Sequence, residues 1–462
     1  MLLKYFYDKS LAQASYLVAC KDTGEAIIID PMRDITPYLQ AARDENVRIT
    51  HVAETHIHAD FVSGARELAA QTGARLYLSA MGGSDWQYAF ADDQTTLLRD
   101  GDMWSVGCVG FEALHTPGHT PEHLVFLITD TQAADRPMGM FSGDFLFVGD
   151  VGRPDLLETA ANHKGTKEQG ARDQYRNVQR FKTLPDYLLV LPGHGAGSAC
   201  GKALGSVPST TLGYEKLFNP AFQHESEADF VAWLLDDQPE TPNYFGQMKR
   251  VNKAGPALLQ DLTPPQPLEG FILSEVLKAG ALVIDARPAE EYRAGHVPGT
   301  LSITPGDKFN TYAGEFVDYG KPTYLIADTD AVERLVCELR AIGVDDLPGY
   351  FPPHELGKSL VKLETVSAED VAARLSETFI LDVRSRREYG EGHIPNAHHI
   401  PLGQIAARLD ELPRDRQIVT QCGSGVRSQT AASLLQNHGF DVANLAGGMD
   451  GWNQANLPVE RE

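Results

Sequence analysis

Residues 55–61 read Thr-His-Ile-His-Ala-Asp-Phe, and they follow directly on the apolar stretch ITHVAE at 49–54. The apolar stretch has the composition of a strand, so the two histidines and the aspartate fall in a loop at a strand end. Such a loop is a good place for metal ligands, because the sheet behind it holds their side chains in fixed positions. This stretch therefore predicts a site at the edge of a sheet.

Phe61 decides how this stretch is interpreted. A His-x-His-x-Asp-His run after a strand is typical of hydrolases with two metal ions, and here Phe61 replaces the last histidine. Apolar side chains then recur with helical spacing, which predicts that Phe61 belongs to the buried face of a helix and that Asp60 is its N-cap. The members of this apolar face are Phe61, Ala65, Leu68 and Ala69.

Three further motifs place a histidine or an aspartate at a predicted strand end. His119 lies in a Pro-Gly turn of HTPGHTPEH, Asp144 follows the apolar stretch MGMFSG, and His194 follows LVLPG. Together with the first stretch they form four strand-end sites in one region of the chain. This recurrence favours a metal centre over an accidental pattern.

Length, charge and cysteine content limit the classes of protein that fit. The 462 residues are enough for two or three domains, and a formal net charge of −23 argues against binding to nucleic acid or an anionic membrane. The 5 cysteines are scattered and odd in number, which argues against a disulfide framework and favours a reducing compartment. With neither a secretion signal nor a membrane-spanning stretch in the sequence, we expect a soluble cytoplasmic protein.

The second half of the chain contains a duplication. Residues 281–299 (ALVIDARPAEEYRAGHVPG) match residues 378–396 (TFILDVRSRREYGEGHIPN), and the spacing of about 100 residues is the size of a domain. Each copy predicts a strand ending in Asp-x-Arg, a short polar helix and a Gly-His-Val/Ile-Pro turn. Alternating strands and helices indicate α/β domains with parallel sheets.

Two Pro-rich segments, 255–270 and 349–357, are predicted to be connectors. The first region opens with the hairpin pattern SYLVAC-KDTG-AIIIDP and then mixes strand and helix signals without strict alternation, which favours an α+β sandwich. The predicted domains are residues 1–250, 255–350 and 357–462.

In the second copy an apolar strand runs into QCGSGVRS at 421–428, and a helical stretch follows. Only a thiolate is nucleophilic, and a helix N-terminus and a neighbouring cation both favour the thiolate. Backbone N–H groups of a glycine-rich loop can point inward as an anion site, and Arg427 can bind an oxygen of sulfite or thiosulfate. Cys422 is therefore the predicted nucleophile. The loop after it consists of Gly423, Ser424, Gly425 and Val426.

The first copy lacks this loop. Its corresponding stretch, TYLIADTDAVERLV, has Ala327 and Asp328 near the expected position of the cysteine and no glycine. Cys337 falls in the helix that follows, where a buried thiol is predicted. We therefore predict that the first copy is inactive and serves as a spacer or a docking surface.

The order of the strand-end motifs resembles the metallo-β-lactamase superfamily, specifically its glyoxalase II and persulfide dioxygenase branch, over the whole first domain. The resemblance implies an αββα sandwich. In the two-metal members, the His-x-His pair and the Pro-Gly-His histidine hold one metal, the Asp-His pair and the late histidine hold the second, and the aspartate after Ser-Gly bridges the two. Phe61 departs from this pattern because it removes a ligand of the second metal.

The persulfide dioxygenases that this domain resembles hold one iron with two histidines and one carboxylate, the facial triad of non-haem Fe(II) oxygenases. On this sequence the resemblance implies one Fe(II) per chain on His56, His119 and Asp144. Zinc is the alternative, since imidazole suits both metals. Further side chains are implied to orient the ligands or to contact substrate, and they are His58, Asp60, Arg153, His194 and Cys200.

Several of these side chains also have ordinary structural interpretations. Arg153 can bind an anionic substrate or form a surface salt bridge, and Cys200 can relay sulfur or be a small buried thiol. Nearby histidines are predicted to be packed or hydrogen-bonded rather than to bind metal, and they are His51, His115 and His123.

The two repeats resemble rhodanese domains, the second of them catalytic through Cys422 and Arg427. A persulfide dioxygenase–rhodanese fusion would oxidise a low-molecular-weight thiol persulfide with O₂ to thiol and sulfite, and would transfer sulfane sulfur to or from sulfite or thiosulfate. Two alternatives stay open: a zinc-dependent thioester hydrolase of the glyoxalase II type fused to a sulfurtransferase, and a sulfur-carrier or persulfide-sensing protein. A homo-oligomer also stays open.

Overall fold

The computed structural model describes residues 1–159 and 165–461. The chain divides into two compact units, Met1–Leu262 with Arg340–Gly343 and Thr263–Leu339 with Val344–Glu462. Among the described residues, no helix combines the length and the apolar character needed to cross a membrane.

Two six-stranded sheets form the first unit. The first sheet is antiparallel from β1 to β3 and parallel from β3 to β6. Its strands, in spatial order, are β1 (Leu2–Asp8), β2 (Gln13–Cys20), β3 (Glu25–Ile29), β4 (Arg48–Ala53), β5 (Arg75–Ser79) and β6 (Thr95–Leu98). The predicted hairpin is confirmed as β2 and β3.

The second sheet is antiparallel except for the parallel pair of β10 and β11. Its strands are β7 (Met103–Val106), β8 (Val109–His115), β9 (Leu124–Asp130), β10 (Gly139–Gly143), β11 (Leu189–Pro192) and β12 (Thr210–Thr211). The helices of this unit are α1 (Thr36–Glu45), α2 (Ala65–Thr72), α3 (Leu156–Thr159), α4 (Lys167–Lys182), α5 (Leu212–Phe218), α6 (Glu227–Leu235) and α7 (Phe245–Ala254).

The hydrophobic core of this unit lies in three layers. Tyr16 and Ile27 of the first sheet pack against Phe126 of the second, so the two sheets face each other. Tyr38 of α1 belongs to the core on the outer face of the first sheet, and Phe181 of α4 belongs to the core on the outer face of the second. The predicted αββα sandwich is confirmed.

Cys20 at the end of β2 and Cys108 between β7 and β8 are joined in a disulfide. One disulfide is not a framework. It nevertheless departs from the predicted reducing compartment, in which disulfides are rare. The two residues are 88 positions apart in sequence and are brought together only because the two sheets face each other.

The second unit contains two five-stranded parallel sheets with the same topology. In each, the strands lie in the spatial order first, fifth, fourth, second and third. The first sheet has strands β13 (Gln266–Pro267), β14 (Leu282–Asp285), β15 (Leu301–Ser302), β16 (Thr323–Ile326) and β17 (Gly349–Phe351). Its helices are α8 (Leu273–Lys278), α9 (Ala289–Ala294), α10 (Phe309–Gly314) and α11 (Thr329–Ala341).

The second sheet repeats the pattern, which confirms the duplicated α/β fold with parallel sheets. Its strands are β18 (Glu364–Val366), β19 (Phe379–Asp382), β20 (His398–His399), β21 (Ile418–Gln421) and β22 (Val442–Leu445). Its helices are α12 (Ala368–Ala373), α13 (Arg386–Glu391), α14 (Val426–Asn437) and α15 (Gly448–Gln454).

The interpretation of 349–357 as a connector is wrong for its first three residues. They form β17, which pairs with β13 and β16, and Phe351 is fully buried. β13 likewise lies inside the segment 255–270. The segment looks like a connector because Pro352 and Pro353 follow directly on β17. A short strand and a Pro-rich turn therefore share one segment.

Candidate metal centre and sulfur-transfer loop

The four predicted strand-end sites meet at one edge of the sandwich. His56 follows β4, His119 lies between β8 and β9, Asp144 follows β10 directly and His194 follows β11. All four side chains are buried. The sequence prediction that these motifs lie at strand ends is therefore confirmed.

His56, His119 and Asp144 form a set whose ligand atoms all lie within 4.8 Å of one another. Asp144 Oδ2 is 4.0 Å from His56 Nε2 and 3.5 Å from His119 Nε2. Among the described residues, His56 Nε2 and Asp144 Oδ2 are buried and have no hydrogen-bond partner. Since buried polar atoms normally have partners, these atoms fit a bound metal cation.

The hydrogen bonds around both histidines leave their Nε2 lone pairs available. His119 Nδ1 lies 2.9 Å from the carbonyl oxygen of Arg153, which only accepts, so Nδ1 carries the proton. His56 Nδ1 lies 3.0 Å from Thr55 Oγ1, whose own proton is donated to Asp30 Oδ2 at 2.8 Å. Nδ1 of His56 is therefore also protonated, and both Nε2 atoms can bind a metal.

His123 has the opposite arrangement, although it lies beside the site. The backbone N–H of Asp144 donates to His123 Nε2 at 3.0 Å, and His123 Nδ1 lies 2.8 Å from Thr116 Oγ1. His115 Nε2 lies 2.8 Å from the carbonyl oxygen of Pro121, and His51 Nδ1 lies 2.7 Å from the hydroxyl of a threonine. The prediction that these histidines are hydrogen-bonded is confirmed.

Asp60 and His194, which belong to the second metal site in two-metal relatives, are paired with each other. His194 Nε2 lies 2.6 Å from Asp60 Oδ2, and His194 Nδ1 lies 2.8 Å from Asp144 Oδ1. Burial alone would raise the pKa of Asp144, but His194, with smaller contributions from the other histidines, holds it well below its usual range. The two carboxylates raise the pKa of His194 well above its usual value despite its burial.

Asp60 is not a helix cap, and Phe61 is not part of a helix. α2 begins four residues after Phe61, at Ala65, with Gly64 as its N-cap. Phe61 is nevertheless 1% exposed, and its ring centroid lies 4.4 Å from that of His58. The apolar spacing was interpreted as helical because the loop before α2 also buries its apolar side chain.

His58 lies beside His56, with ring centroids 4.2 Å apart, and its Nδ1 is buried without a hydrogen-bond partner. Its Nε2 lies 3.2 Å from Asp30 Oδ1. Burial lowers the pKa of His58, but Asp30 outweighs burial and brings it to about 9. Asp30 also accepts a hydrogen bond from the Thr55 hydroxyl. His58 therefore helps to position Asp30, which orients Thr55 and through it His56.

Arg153 is buried rather than on the surface, and its guanidinium is already occupied. Nε and Nη2 donate to the two carboxylate oxygens of Asp155 at 2.8 and 2.6 Å, and Nη1 donates to the carbonyl oxygen of Ala199 at 3.0 Å. Neither a surface salt bridge nor a free anion-binding arginine describes it. Arg153 instead connects the loop behind His119 to the segment that carries Cys200.

Cys200 lies next to Asp60 and His194, with the three ligand atoms within 4.8 Å of one another. It is buried, and burial together with the two nearby carboxylates raises the pKa of the thiol well above its usual value. The prediction that Cys200 lies near the site is confirmed by this placement.

The second candidate site surrounds Cys422 at the end of β21. The backbone N–H of Gly425 donates to Cys422 Sγ at 3.2 Å, and the Ser428 hydroxyl lies 3.4 Å from it. Gly425 precedes α14 with φ +97°, which explains the glycine at this position. The loop therefore turns an N–H group toward the sulfur at the N-terminus of a helix.

Arg427 does not point freely into this site. Its two terminal nitrogens donate to Glu388 at 2.7 and 2.6 Å. Burial would raise the pKa of Glu388, but Arg427 lowers it to about 2. Glu388 also completes a capping box with Ser385 at the start of α13. Sequence reasoning missed Glu388, although the Ser-x-x-Glu pattern predicts the cap.

Comparison with known families agrees with the architecture of the chain. Residues 10–194 match the model of the metallo-beta-lactamase superfamily, and residues 272–346 and 367–455 each match the rhodanese-like domain. A hydroxyacylglutathione hydrolase from Polaromonas sp. is 32% identical over 254 residues, which are 50% of this chain and 88% of that protein. This chain belongs to the metallo-beta-lactamase superfamily and carries two rhodanese-like domains.

Other relatives cover each part of this architecture. A mitochondrial persulfide dioxygenase from Bos taurus is 27% identical over 200 residues, 42% of this chain and 68% of that protein. A sulfurtransferase from Allochromatium vinosum is 36% identical over 98 residues, 20% of this chain and 92% of that protein. The crystal structure of a metallo-beta-lactamase from Staphylococcus aureus is 43% identical, covers 76% of this chain and 99% of its own, and has a TM-score of 0.69.

The register of the first rhodanese-like domain locates its counterpart of Cys422. Asp382 pairs with Gln421, the residue before Cys422, and Asp285 pairs with Ile326, the residue before Ala327. Ala327 therefore takes the place of the cysteine, as the sequence predicted. Cys337, predicted to be buried, is exposed on α11.

Proposed function

We propose that the metallo-beta-lactamase domain oxidises a low-molecular-weight thiol persulfide at one non-haem iron, and that the last domain transfers sulfane sulfur through Cys422. In the first reaction, persulfide, O₂ and water give thiol, sulfite and two protons. In the second, sulfur moves between Cys422 and thiosulfate, sulfite or a thiol. The proposal joins the activities named for two of the relatives.

The observation that carries the iron proposal is the contrast between two sets of buried side chains. The buried atoms without a hydrogen bond include His56 Nε2 and Asp144 Oδ2 in one set and Asp60 Oδ2 and His194 Nε2 in the other. Asp144 Oδ2 lies 4.0 and 3.5 Å from the Nε2 atoms of His56 and His119, whereas Asp60 Oδ2 lies only 2.6 Å from His194 Nε2 as an ion pair. Phe61 places an apolar ring where a further ligand would be needed. One ion of the facial-triad type suits this arrangement better than two.

Bound to His56, His119 and Asp144, iron(II) would supply open coordination positions for O₂ and a sulfur ligand. The protein's own part is to orient the ligands through Thr55 and the Arg153 carbonyl and to keep the site buried.

A zinc-dependent thioester hydrolase is the second candidate, because the Polaromonas relative is a hydroxyacylglutathione hydrolase. A two-metal hydrolase needs a second complete ligand set. Here Phe61 takes one ligand position, and in the second candidate set, Asp60, His194 and Cys200, the first two are engaged with each other as an ion pair 2.6 Å apart. The same residues therefore favour the dioxygenase.

Elemental analysis of protein purified without added metal tests the two candidates. We expect one iron per chain, and we expect His56→Ala to lose both the metal and O₂ uptake with a persulfide substrate. His115→Gln is a matched control, since His115 is hydrogen-bonded to a carbonyl outside the ligand set. Two bound zinc ions with thioester hydrolysis would replace the proposal by the second candidate.

Phe61→His sharpens the same test. If Phe61 sets the metal count, the variant should bind additional zinc and lose dioxygenase turnover. One bound metal with full activity in this variant would mean that the missing histidine does not determine the count.

A further inference from the structure

The helix that follows Cys422 packs on the non-catalytic rhodanese-like domain through a polar side chain. Gln429 is 1% exposed. Its Nε2 donates to Ser302 Oγ at 2.8 Å and lies 3.2 Å from the carbonyl oxygen of Ala289. Its Oε1 accepts from Arg293 at 2.9 Å. All three partners belong to the first copy, so the start of α14 is held by the neighbouring domain.

The contact continues along one face of α14. Residues 429, 433, 436 and 437 recur with helical spacing, so they share a face. Asn437 accepts from the backbone N–H of Gly299 at 2.9 Å and donates to the carbonyl oxygen of Thr300 at 2.9 Å. The other contacts join Ser433 to Ser302 at 3.0 Å and Gln436 to His296 at 3.0 Å. These hydrogen bonds fix the first copy in register with the helix that begins at the catalytic loop.

In this register the first copy also contributes to the buried cluster that contains Cys422. Cys422 belongs to a buried cluster that includes Tyr292 of the first copy. Two further aromatic side chains of the first copy, Tyr312 on α10 and Phe316 just after it, pack against the same cluster. The catalytic cysteine therefore lies in a core to which both copies contribute.

Tyr312 brings a hydroxyl group to the edge of this largely apolar cluster. In the part of the chain that the structure describes, its hydroxyl makes no hydrogen bond. Burial raises the pKa of Tyr312, with Arg427 opposing and Cys422 and Glu388 adding to the rise, so these three groups are its electrostatic neighbours. The phenol consequently keeps its proton at neutral pH and can donate a hydrogen bond.

A donor is needed there because Arg427 is engaged. Both of its terminal nitrogens donate to Glu388, and the pair is close to neutral as a whole. An oxyanion that approaches Cys422 gains less from this arginine than from an unpaired one. The phenol of Tyr312, an electrostatic neighbour of this pair, can supply a hydrogen bond without competing with Glu388.

We propose that Tyr312, supplied by the non-catalytic copy, binds a sulfonate oxygen of thiosulfate at Cys422 and so determines specificity for oxyanion sulfur donors. The proposal rests on sulfur transfer at Cys422 as proposed above. It gives the inactive copy a role in substrate binding beyond that of a spacer.

The transfer step itself involves only the cysteine and the donor. The Cys422 thiolate attacks the sulfane sulfur of thiosulfate, and a new bond forms between Sγ and that sulfur. The sulfur–sulfur bond of thiosulfate breaks, and its electron pair leaves with sulfite. Thiolate and thiosulfate thus become the Cys422 persulfide and sulfite, with no external oxidant or reductant. Tyr312 acts on the sulfonate group, which is the part that leaves.

The test compares two sulfur donors in the full-length protein, with cyanide as acceptor and thiocyanate as the measured product. For Tyr312→Phe, we expect kcat/KM for thiosulfate to fall about tenfold, the size of a lost hydrogen bond to a charged group. With an organic persulfide donor, whose leaving group carries no sulfonate, we expect no change. Tyr324→Phe is the matched control, since Tyr324 packs in a separate core of the same copy.

Two results would overturn the proposal: unchanged kinetics with thiosulfate, or an equal loss with both donors, which would indicate a purely structural role. Cys422→Ser separates this outcome from failure of the proposed sulfur transfer. If wild type and Cys422→Ser transfer sulfur equally well, the sulfurtransferase proposal fails. If Cys422→Ser is inactive while Tyr312→Phe is unchanged, only the role of Tyr312 fails.

Discussion

The two rhodanese-like domains share one frame, which consists of an Asp–Arg ion pair and a Tyr–His ring stack in each copy. In each, an aspartate at the end of the second strand of the copy binds the arginine two residues later. Asp285 and Arg287 lie 2.6 Å apart, and so do Asp382 and Arg384. Both aspartates are fully buried. The Asp-x-Arg motif that revealed the duplication is therefore a structural ion pair in both copies.

The second repeated motif is also structural. The rings of Tyr292 and His296 stack with centroids 3.8 Å apart in the first copy, and those of Tyr389 and His393 do the same in the second. In both copies the histidine Nδ1 lies 3.0 Å from the carbonyl oxygen of the tyrosine. Neither motif distinguishes the copy that carries Cys422 from the other.

The copies differ in the connection from strand to helix. Two residues, Ala327 and Asp328, separate β16 from α11, whereas Cys422 to Gly425 separate β21 from α14. Glu291, the counterpart of Glu388, is exposed, whereas Glu388 binds Arg427 at the start of α14. The fold persists without the loop, so the proposed sulfur transfer would depend on a short local insertion that the frame itself does not need.

The strongest test of this comparison is Cys422→Ser. A serine hydroxyl does not ionise at neutral pH, so we expect sulfur transfer to fall by about three orders of magnitude or more. O₂ uptake with added persulfide should persist, and, if the last domain runs in the direction that makes thiosulfate, the products should shift from thiosulfate toward sulfite. Oxygen uptake and quantified sulfite and thiosulfate provide the measurement. Loss of O₂ uptake in this variant would mean that sulfur must pass through Cys422 before oxidation.

Ala327→Cys in the Cys422→Ser background tests whether a cysteine held by this frame can transfer sulfur without the glycine-rich loop. We expect the double variant to stay as inactive as Cys422→Ser, because α11 begins after two residues and no glycine loop directs N–H groups to the new sulfur. The rate of thiocyanate formation is the measurement. Recovery to a tenth of the wild-type rate would show that a cysteine in this frame suffices without the loop.

Asp285→Asn and Asp382→Asn test whether the frame contributes equally to both copies. Each leaves a buried arginine without its carboxylate, so each should lower the free energy of unfolding by about 3 kcal/mol. Chemical denaturation of the two variants gives the comparison, with Asp330→Asn on an exposed position as the control. A large loss in only one copy would contradict the shared frame.

Glu388→Gln should have the smallest effect. Removing this carboxylate leaves Arg427 free to bind an anion, so the KM for thiosulfate should fall about two- to threefold. Glu291→Gln, at the exposed counterpart, should change nothing. An increase in KM would show instead that Glu388 is needed to position Arg427.

The pH dependence of the Glu388–Arg427 pair follows from the lowered pKa of Glu388, about 2 against its usual 4.5. The stabilisation by this pair is present above pH 4.5 and is lost as the pH falls toward 2. The rate of sulfur transfer, measured from pH 5 to pH 9, should therefore vary with pH in the same way in wild type and Glu388→Gln.

The sequence alone determined the features that depend on local pattern. Period-two strands followed by polar loops located His56, His119, Asp144 and His194 at strand ends, and a glycine-rich loop before a helix identified Cys422. The duplication was visible because the Asp-x-Arg and Gly-His-Pro motifs recur at a fixed spacing. Such signals lie within about ten residues of chain, where backbone geometry links spacing to structure.

Only the tertiary structure decided which of these side chains are engaged. Three contacts join residues far apart in sequence: the Asp60–His194 ion pair, the Glu388–Arg427 ion pair and the Cys20–Cys108 disulfide. The packing of Tyr312 against the cluster that contains Cys422 likewise requires the two rhodanese-like domains to pack together. No local spacing encodes such contacts, because they arise when separate elements bury their faces together and each buried polar atom must find a partner.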